Sequence, residues 1–296
     1  MAERERAMKR PRIAVIGGDE RSKRLAEKLA RNGFDVGATA LDGAPVEALT
    51  PEQAMEREVL ILPVPVTRDG DTLNTPLSED KIPLRAFFAG LPVGSLLLGG
   101  GMSEEFCRQA EYQGCRVLDY AAGDAVARAN AIPTAEGAAA LAMENSPITL
   151  HGSRCLVIGS GRCGRALARL LKGMGAKVSL SSRKKRHTLW ALLHGYRPVR
   201  TERLDALADE YDFLFNTVPV QVVTAGVLER MNREALLIEL ATGAAGVDRE
   251  AAERLDRRVL VAPGLPGKVA PETAAEILYR SVHGMLTEEF PWISYE

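Results

Sequence analysis

Short apolar runs, each closed by glycine, proline or a polar turn, alternate along this chain with amphipathic stretches of helical length. Ile13-Ala14-Val15-Ile16 opens the series as a predicted strand ending at Gly17-Gly18-Asp19, and a helix follows over residues 20–32. Residues 34–38 predict a second strand, and the proline- and acid-containing stretch behind it a short helix. Val59-Leu60-Ile61-Leu62-Pro63 is a third strand, whose exit Pro63 and Pro65 hold extended. Residues 69–80 are polar and predict a surface loop or small hairpin, and residues 82–88 a helix or an irregular apolar turn. Residues 95–98 form the next strand and run into Gly99-Gly100-Gly101. A helix then begins near Ser103, with Glu104 and Glu105 suited to its first turn. Residues 117–120 close the series. Apolar strands joined through helices predict a parallel sheet covered on both faces, here a flavodoxin-like α/β domain.

The second half repeats the plan around a sharper motif. Cys155-Leu156-Val157-Ile158 leads into Gly159-Ser160-Gly161-Arg162-Cys163-Gly164, glycines at G-x-G-x-x-G spacing. Leu167, Leu170 and Leu171 mark the helix behind it, and residues 176–180 the next strand. Gly159 permits the tight turn, Gly161 lets the backbone approach a pyrophosphate, and Gly164 lets helix and strand pack closely. The free amides at the helix start, those of Arg162 and Cys163 among them, face the phosphates. Further strands are expected at residues 196–199, 212–219, 236–241 and 258–262, with a helix carrying Trp190, Leu192 and Leu193 and a short helical connector at 204–207. Residues 263–268 predict a rigid, ligand-sized loop, and Pro271 and Thr273 start a helix reaching about residue 285. The fold expected is α/β: two doubly wound parallel-sheet domains, the first flavodoxin-like and the second a Rossmann domain, separated by a cleft. Its expected divisions are a first domain over 1–125, a linker and interdomain helix over 126–150, the Rossmann domain over 151–268, and a C-terminal helix over 269–296 packing back on the first domain.

Composition narrows the function classes. With Lys+Arg 38 against Asp+Glu 39 in 296 residues, no global charge favours nucleic acid or an anionic membrane. No apolar run approaches the roughly 18 residues of a membrane span, and residues 1–12 lack the apolar centre of a secretion signal, so a cytoplasmic protein is expected. Cys107, Cys115, Cys155 and Cys163 are scattered without a C-x-x-C pair, and no metal site is expected. Cys155 reads as a buried strand residue and Cys163 as a small turn residue.

Candidate chemistry gathers at the predicted strand exits. An NAD site usually carries an acid near the end of its second strand, but Ser181-Ser182-Arg183-Lys184-Lys185-Arg186 stands there. Hydroxyls and cations bind a ribose phosphate that an acid would repel, so NADP is expected, with NAD the other candidate and a solvated basic helix start the competing reading of the segment. Asn216 and Thr217 are placed to bond the nicotinamide ribose or amide, with Val218 and Pro219 stiffening the loop against its face. Glu239, inside an apolar run that continues through Leu240 and Ala241 to Thr242-Gly243, pairs with an arginine, contacts the cofactor or satisfies neighbouring amides. Pro263 and Gly264 complete the cofactor set. In Asn130-Ala131-Ile132-Pro133-Thr134-Ala135-Glu136-Gly137, Thr134 is expected to cap a helix over 138–144. Glu136 then either favours the positive helix start or accepts a proton from substrate. His151 is the alternate base, with a structural or surface role as its competing reading. Gly99, Gly100, Asn130, Thr134, Arg162 and Lys268 are the substrate-binding candidates, Lys268 for a carboxylate and Arg162 for a phosphate or a carboxylate.

These segments together resemble one family. IAVIGGD at 13–19, IPTAEG at 132–137, HGSRCLVIGSGRCG at 151–164, NTVP at 216–219 and APGLPGKVAPETA at 262–274 occur in the order of the A subunit of bacterial dipicolinate synthase, over nearly the whole chain. The cofactor half is more distantly similar to 2-hydroxyacid and alanine dehydrogenases, without the arginine and histidine-acid arrangement that carries their catalysis. The resemblance implies work with the flavoprotein-like B subunit of dipicolinate synthase in the mother cell of a spore-forming bacterium. It implies oxidation by NADP of a small dicarboxylate, a dihydrodipicolinate or its hydroxylated tetrahydro precursor, to pyridine-2,6-dicarboxylate. A cofactor-binding regulatory or assembly protein, and a dehydrogenase for another small carboxylate, are the alternatives. A homodimer is compatible with such folds, although no contact patch can be read from the sequence.

Overall fold

Twelve strands in the computed structural model, which describes residues 10–241 and 246–295, form two parallel sheets of six. In the first, β1 (Arg12–Ile16), β2 (Asp35–Thr39), β3 (Glu47–Ala48), β4 (Val59–Ile61), β5 (Leu96–Gly99) and β6 (Arg116–Asp119) lie in the order β3-β2-β1-β4-β5-β6. Without the two-residue edge strand β3, this is the flavodoxin-like order. In the second, β7 (Arg154–Ile158), β8 (Lys177–Ser182), β9 (Arg197–Arg200), β10 (Phe213–Asn216), β11 (Leu236–Glu239) and β12 (Arg258–Val261) lie in the order β12-β11-β10-β7-β8-β9. That is the doubly wound order of dinucleotide-binding domains. The chain divides into two compact units, residues 1–127 with 270–296, and residues 128–269.

Strand periodicity explains the cores. Ile13, Val15, Val59, Ile61, Leu96 and Leu98 point to one face of the first sheet, and Ala14, Ile16, Leu60, Leu62 and Leu97 to the other. Leu25, Ala26 and Leu29 of the helix Glu20–Arg31, with Leu278, Val282 and Leu286 of the helix Pro271–Glu289, cover the first face. Phe87, Phe88 and Phe106 cover the second. The ion pairs Arg24–Glu272 at 2.9 Å and Lys28–Glu276 at 3.2 Å fasten the edges of the two helices. The second sheet repeats the scheme. Cys155, Val157, Phe213, Phe215 and Ile238 face one layer, while Leu156, Ile158, Leu214 and Leu237 face the other. Continuous apolar strands are what two covered faces require.

Two sequence expectations are corrected. Residues 130–137 are not the approach to a helix: one helix runs from Asp124 to Glu144 with Pro133 inside it. Thr134 is therefore no N-cap, and its hydroxyl donates back to the Asn130 carbonyl at 2.7 Å. Proline inside a helix costs about 3 kcal/mol. The alanine-rich flanks and a buried stripe of Ala131, Ala135, Ala138 and Ala142 offset that cost, so packing overrides the local signal. Glu136 consequently lies mid-helix, exposed, rather than at a positive helix start. Nor is 263–268 a loop throughout. Only Pro263 and Gly264 turn, and Leu265–Val269 is helical, burying Leu265 and Pro266. Pro266 sits in the first turn, where its missing N–H breaks no helical bond. A Cβ on Gly137 would lie 3.1 Å from the Val269 side chain and 3.2 Å from Leu265, so glycine lets this short helix seat against the long one. Thr242-Gly243, expected to open the exit of β11, lie outside the described residues. Among the described residues, no helix is long and apolar enough to cross a membrane.

Candidate functional site

All six strands of the second unit are parallel, so β7, β8, β10, β11 and β12 deliver their last residues to one edge. Each glycine of the turn after β7 has a separate physical reason. Gly159 adopts φ +101°, a conformation L side chains rarely take, and a Cβ there would stand 2.5 Å from the Thr217 hydroxyl. A Cβ on Gly161 would meet nothing within 4 Å, leaving its outer side open to an approaching phosphate. A Cβ on Gly164 would overlap the Gly159 carbonyl oxygen, so only glycine admits the helix Arg162–Gly173 so close to the turn. Gly161 is the N-cap of that helix and no side chain caps it. The first amides and the positive end of the helix dipole therefore suit an anion. Arg162 is exposed at this start, and burial pushes the half-buried Cys163 thiol up against the opposing pull of Arg162. The first unit differs at the equivalent turn. There Asp19 caps the helix, accepting from Arg21 N at 3.0 Å and pairing with the Arg21 guanidinium at 2.7 Å. A carboxylate holds the seat that a phosphate would need.

The basic segment after β8 separates into buried and exposed members. Ser181 and Ser182 are buried, their hydroxyls bonded to Thr201 at 3.3 Å and Thr188 at 3.2 Å, while Arg183 and Lys184 are exposed. The structure adds three residues that the sequence reading missed. Ser160, between the fingerprint glycines, shares a 2.8 Å hydrogen bond with His187 Nδ1. Arg165 donates to the Ser160 carbonyl at 3.0 Å and lays its guanidinium 4.3 Å from the centre of the Trp190 ring. Burial, then the neighbouring Arg165, Arg186 and Lys184, hold His187 below the usual histidine range. The available signal was the position of Ser160 inside the motif and of His187 directly behind the basic run.

At the ends of β10 and β11 the candidates turn toward each other. Asn216 is fully buried and Glu239 is 1% exposed. Asn216 Nδ2 donates to Glu239 Oε2 at 2.8 Å, and Glu239 Oε1 accepts from the Ala241 amide at 2.9 Å. Of the three readings offered for Glu239, the buried carboxylate takes the neighbouring-amide one, with Asn216 added. Burial raises its pKa, against the hydrogen bonds from Asn216 and Ala241 and the charge of Arg249. Thr217 packs beside the glycine turn and donates from its hydroxyl to the Ile158 carbonyl at 2.9 Å. Val218 is half-buried, Pro219 and Gly264 are exposed, Pro263 is half-buried, and Leu240 and Ala241 are buried. Among the described residues, Thr217, the Val218-Pro219 segment and the Pro263-Gly264 turn reach the surface here.

The substrate candidates divide between the units. Gly99 and Gly100 end β5 in the first unit, both buried, where side chains would collide with Met102 and Val64. Asn130, Thr134, Glu136 and Lys268 belong to the second unit, and Glu136 and Lys268 are exposed. Gly137, next to Glu136, is the residue that seats against Leu265 and Val269, while Glu136 itself is exposed. His151 is not with this group. It precedes β7 at the amino-terminal edge of the sheet and packs against Gly175, with the whole strand between it and the glycine turn.

Comparison with known proteins follows the same division. The family model for the N-terminal domain of the dipicolinate synthase A subunit matches residues 12–121. That described as D-isomer specific 2-hydroxyacid dehydrogenase, NAD binding domain, matches residues 127–265. The dipicolinate synthase A subunit of Bacillus subtilis (strain 168) is 32% identical over 285 residues, covering 94% of this chain and 96% of the relative. The crystal structure of the dipicolinate synthase A subunit from Bacillus halodurans has a TM-score of 0.86 at 26% identity, covering 94% of this chain and 98% of that one. D-lactate dehydrogenase from Escherichia coli has a TM-score of 0.62 at 18% identity, with 94% and 96% covered, and shows the fold alone. One family model thus falls on each unit, and the chain belongs to the family of dipicolinate synthase A subunits, its second unit being a dehydrogenase-type nicotinamide-nucleotide domain.

Proposed function

We propose that the chain oxidises a dihydrodipicolinate, or its hydroxylated tetrahydro precursor, to pyridine-2,6-dicarboxylate with NADP, working with the B subunit of the synthase. The observation that carries this reading is the alignment with a dipicolinate synthase A subunit over 94% of the chain. The glycine turn supports the cofactor, since an open Gly161 and an uncapped helix start fit a pyrophosphate. NADP rather than NAD is favoured because exposed Arg183 and Lys184 follow β8 where an NAD site carries an acid. Arg165 adds a cation beside Ser160.

The bound nicotinamide supplies the hydride acceptor. The dihydro ring gives up one hydride and one proton, and the hydroxylated precursor loses water as well. Aromatisation favours the product, so the protein mainly has to bind, orient and take one proton. Arg162 and Lys268, exposed cations of the second unit, serve the carboxylates. Glu136 serves as proton acceptor, being exposed on the long helix of the second unit, whereas the position of His151 speaks against it.

The test is anaerobic incubation of purified chain with the tetrahydro precursor, with and without the partner protein, following reduced nucleotide and dipicolinate together in parallel runs with NADP and NAD. Equal formation of both products, faster with NADP, is the expected result. A requirement for the partner means a shared site. Nucleotide binding without either product, with the partner present, replaces the enzyme reading with a regulatory one.

A further inference from the structure

Asn216 and Glu239 are register partners at the ends of β10 and β11, and their side chains form a closed set of hydrogen bonds. Asn216 uses both ends of its amide on Val218: Oδ1 accepts from the Val218 N–H at 3.1 Å, and Nδ2 donates to the Val218 carbonyl at 3.1 Å. The same Nδ2 donates to Glu239 Oε2 at 2.8 Å. An ionised carboxylate only accepts, so Glu239 decides which way the Asn216 amide faces. Its second oxygen is taken by the Ala241 amide at 2.9 Å. Gly246 closes the set from outside: a Cβ there would overlap Asn216 Nδ2 and stand 2.6 Å from Glu239 Oε2. Next in the chain, Thr217 ties the segment to the Ile158 carbonyl and abuts Gly159.

We infer that Asn216 and Glu239 are positioning residues, a buried amide–carboxylate clamp that sets the Val218-Pro219 segment at the nicotinamide half of the site without touching the cofactor. This rests on the nicotinamide-nucleotide reading of the second unit. In a doubly wound sheet, the β10 side holds the nicotinamide mononucleotide half, and the turn after β7 holds the pyrophosphate. Moving Val218 therefore disturbs one half of the cofactor and leaves the other seated. A side chain needed only for folding would weaken both halves together.

The experiment compares Asn216→Asp, Glu239→Gln and the double variant Asn216→Asp/Glu239→Gln with wild type. Dissociation constants are measured for NADPH and NADH by fluorescence, and for ADP and its 2′-phosphate by calorimetry. Amide hydrogen exchange is followed at residues 217–220 in the nucleotide-free chain. Asn216→Asp removes the donor to Val218 and sets two carboxylates together. It should weaken the reduced nucleotides at least about tenfold, leave the ADP fragments within about twofold and speed exchange at Val218. The double variant returns a donor to the strand-to-strand bond and should recover part of the affinity. Equal weakening of fragments and whole nucleotides, or wild-type affinity in a folded Asn216→Asp, overturns the clamp. If Asn216→Asp does not fold, Glu239→Gln decides: unchanged affinity and unchanged exchange at Val218 overturn it. A wild type that binds ADP fragments but neither reduced nucleotide overturns the nicotinamide reading and the clamp with it. Binding of both by wild type, with the variants unaffected, overturns the clamp alone.

Discussion

Three glycines within six residues do three different things, and single methyl groups separate them. A Cβ on Gly164 has the Gly159 carbonyl oxygen in its way, a backbone atom that cannot swing aside. Gly164→Ala should therefore cost about 1–3 kcal/mol of stability, read by denaturant unfolding. Gly161 has an ordinary φ of −75° and open space where its Cβ would go, so Gly161→Ala should leave unfolding within about 0.5 kcal/mol of wild type. On the proposed nucleotide site, the same methyl stands where the pyrophosphate would approach and should weaken nucleotide binding at least about tenfold, or about 1.4 kcal/mol. Nucleotide affinity unchanged by Gly161→Ala would remove the turn from the binding site. Spacing made the turn at Gly159 and the close packing at Gly164 readable in advance because the φ of the one and the contact of the other with the Gly159 carbonyl lie within a few residues of backbone. The facing of Ser181 and Ser182 was not readable, since Thr201 and Thr188 take their hydroxyls from outside the strand.

Between elements, the buried Glu239 leaves a signature in pH. Burial raises its folded-state pKa above that of an exposed glutamate, about 4.3, despite the bonds from Asn216 and Ala241. In the window between those two values the folded chain binds more protons than the unfolded one, so stability falls as pH rises through it. The full loss is present above the folded value and absent below the unfolded one, at about 1.4 kcal/mol per unit of displacement. Glu239→Gln removes this dependence. Urea unfolding from acid to neutral pH should show wild type losing stability relative to the variant as pH rises. A constant difference would mean that Glu239 is not shifted. Elements also supplied the two departures from sequence expectation. Pro133 and Thr134 looked like a helix boundary because local signals said so, and the alanine stripe buried in the second unit overrode them. Leu265 looked like a loop residue until Gly137 offered it and Val269 a seat.

Across the whole molecule, the chain returns to its first unit at the end. The helix Pro271–Glu289 contributes Leu278, Val282 and Leu286, all essentially inaccessible, to the same face of the first sheet that Leu25 and Leu29 cover. A fully buried leucine or valine is worth about 1.5–3 kcal/mol, a large part of an ordinary domain's net stability. Removing residues 270–296 should therefore abolish the cooperative unfolding transition of the first unit and expose it to proteolysis, while nucleotide binding by the second unit remains. A truncated chain with both calorimetric transitions intact would contradict this account.

The sequence by itself determined the two parallel sheets, the glycine turn and the family. These depend on the alternation of side chains along strands, the short-range sterics of Gly159, Gly161 and Gly164, and the order of motifs along the chain. Only the tertiary structure decided which polar residues reach the surface and which meet each other. Asn216 reads as a cofactor ligand, and Glu239 equally as a cofactor contact, an arginine partner or a cap for neighbouring amides, yet the register of β10 against β11 turns the two together and seals them. His151 reads as a candidate base, yet the direction of β7 leaves it at the far edge of the sheet. Where a side chain points depends on partners tens of residues away, and that information exists only once the sheet has assembled.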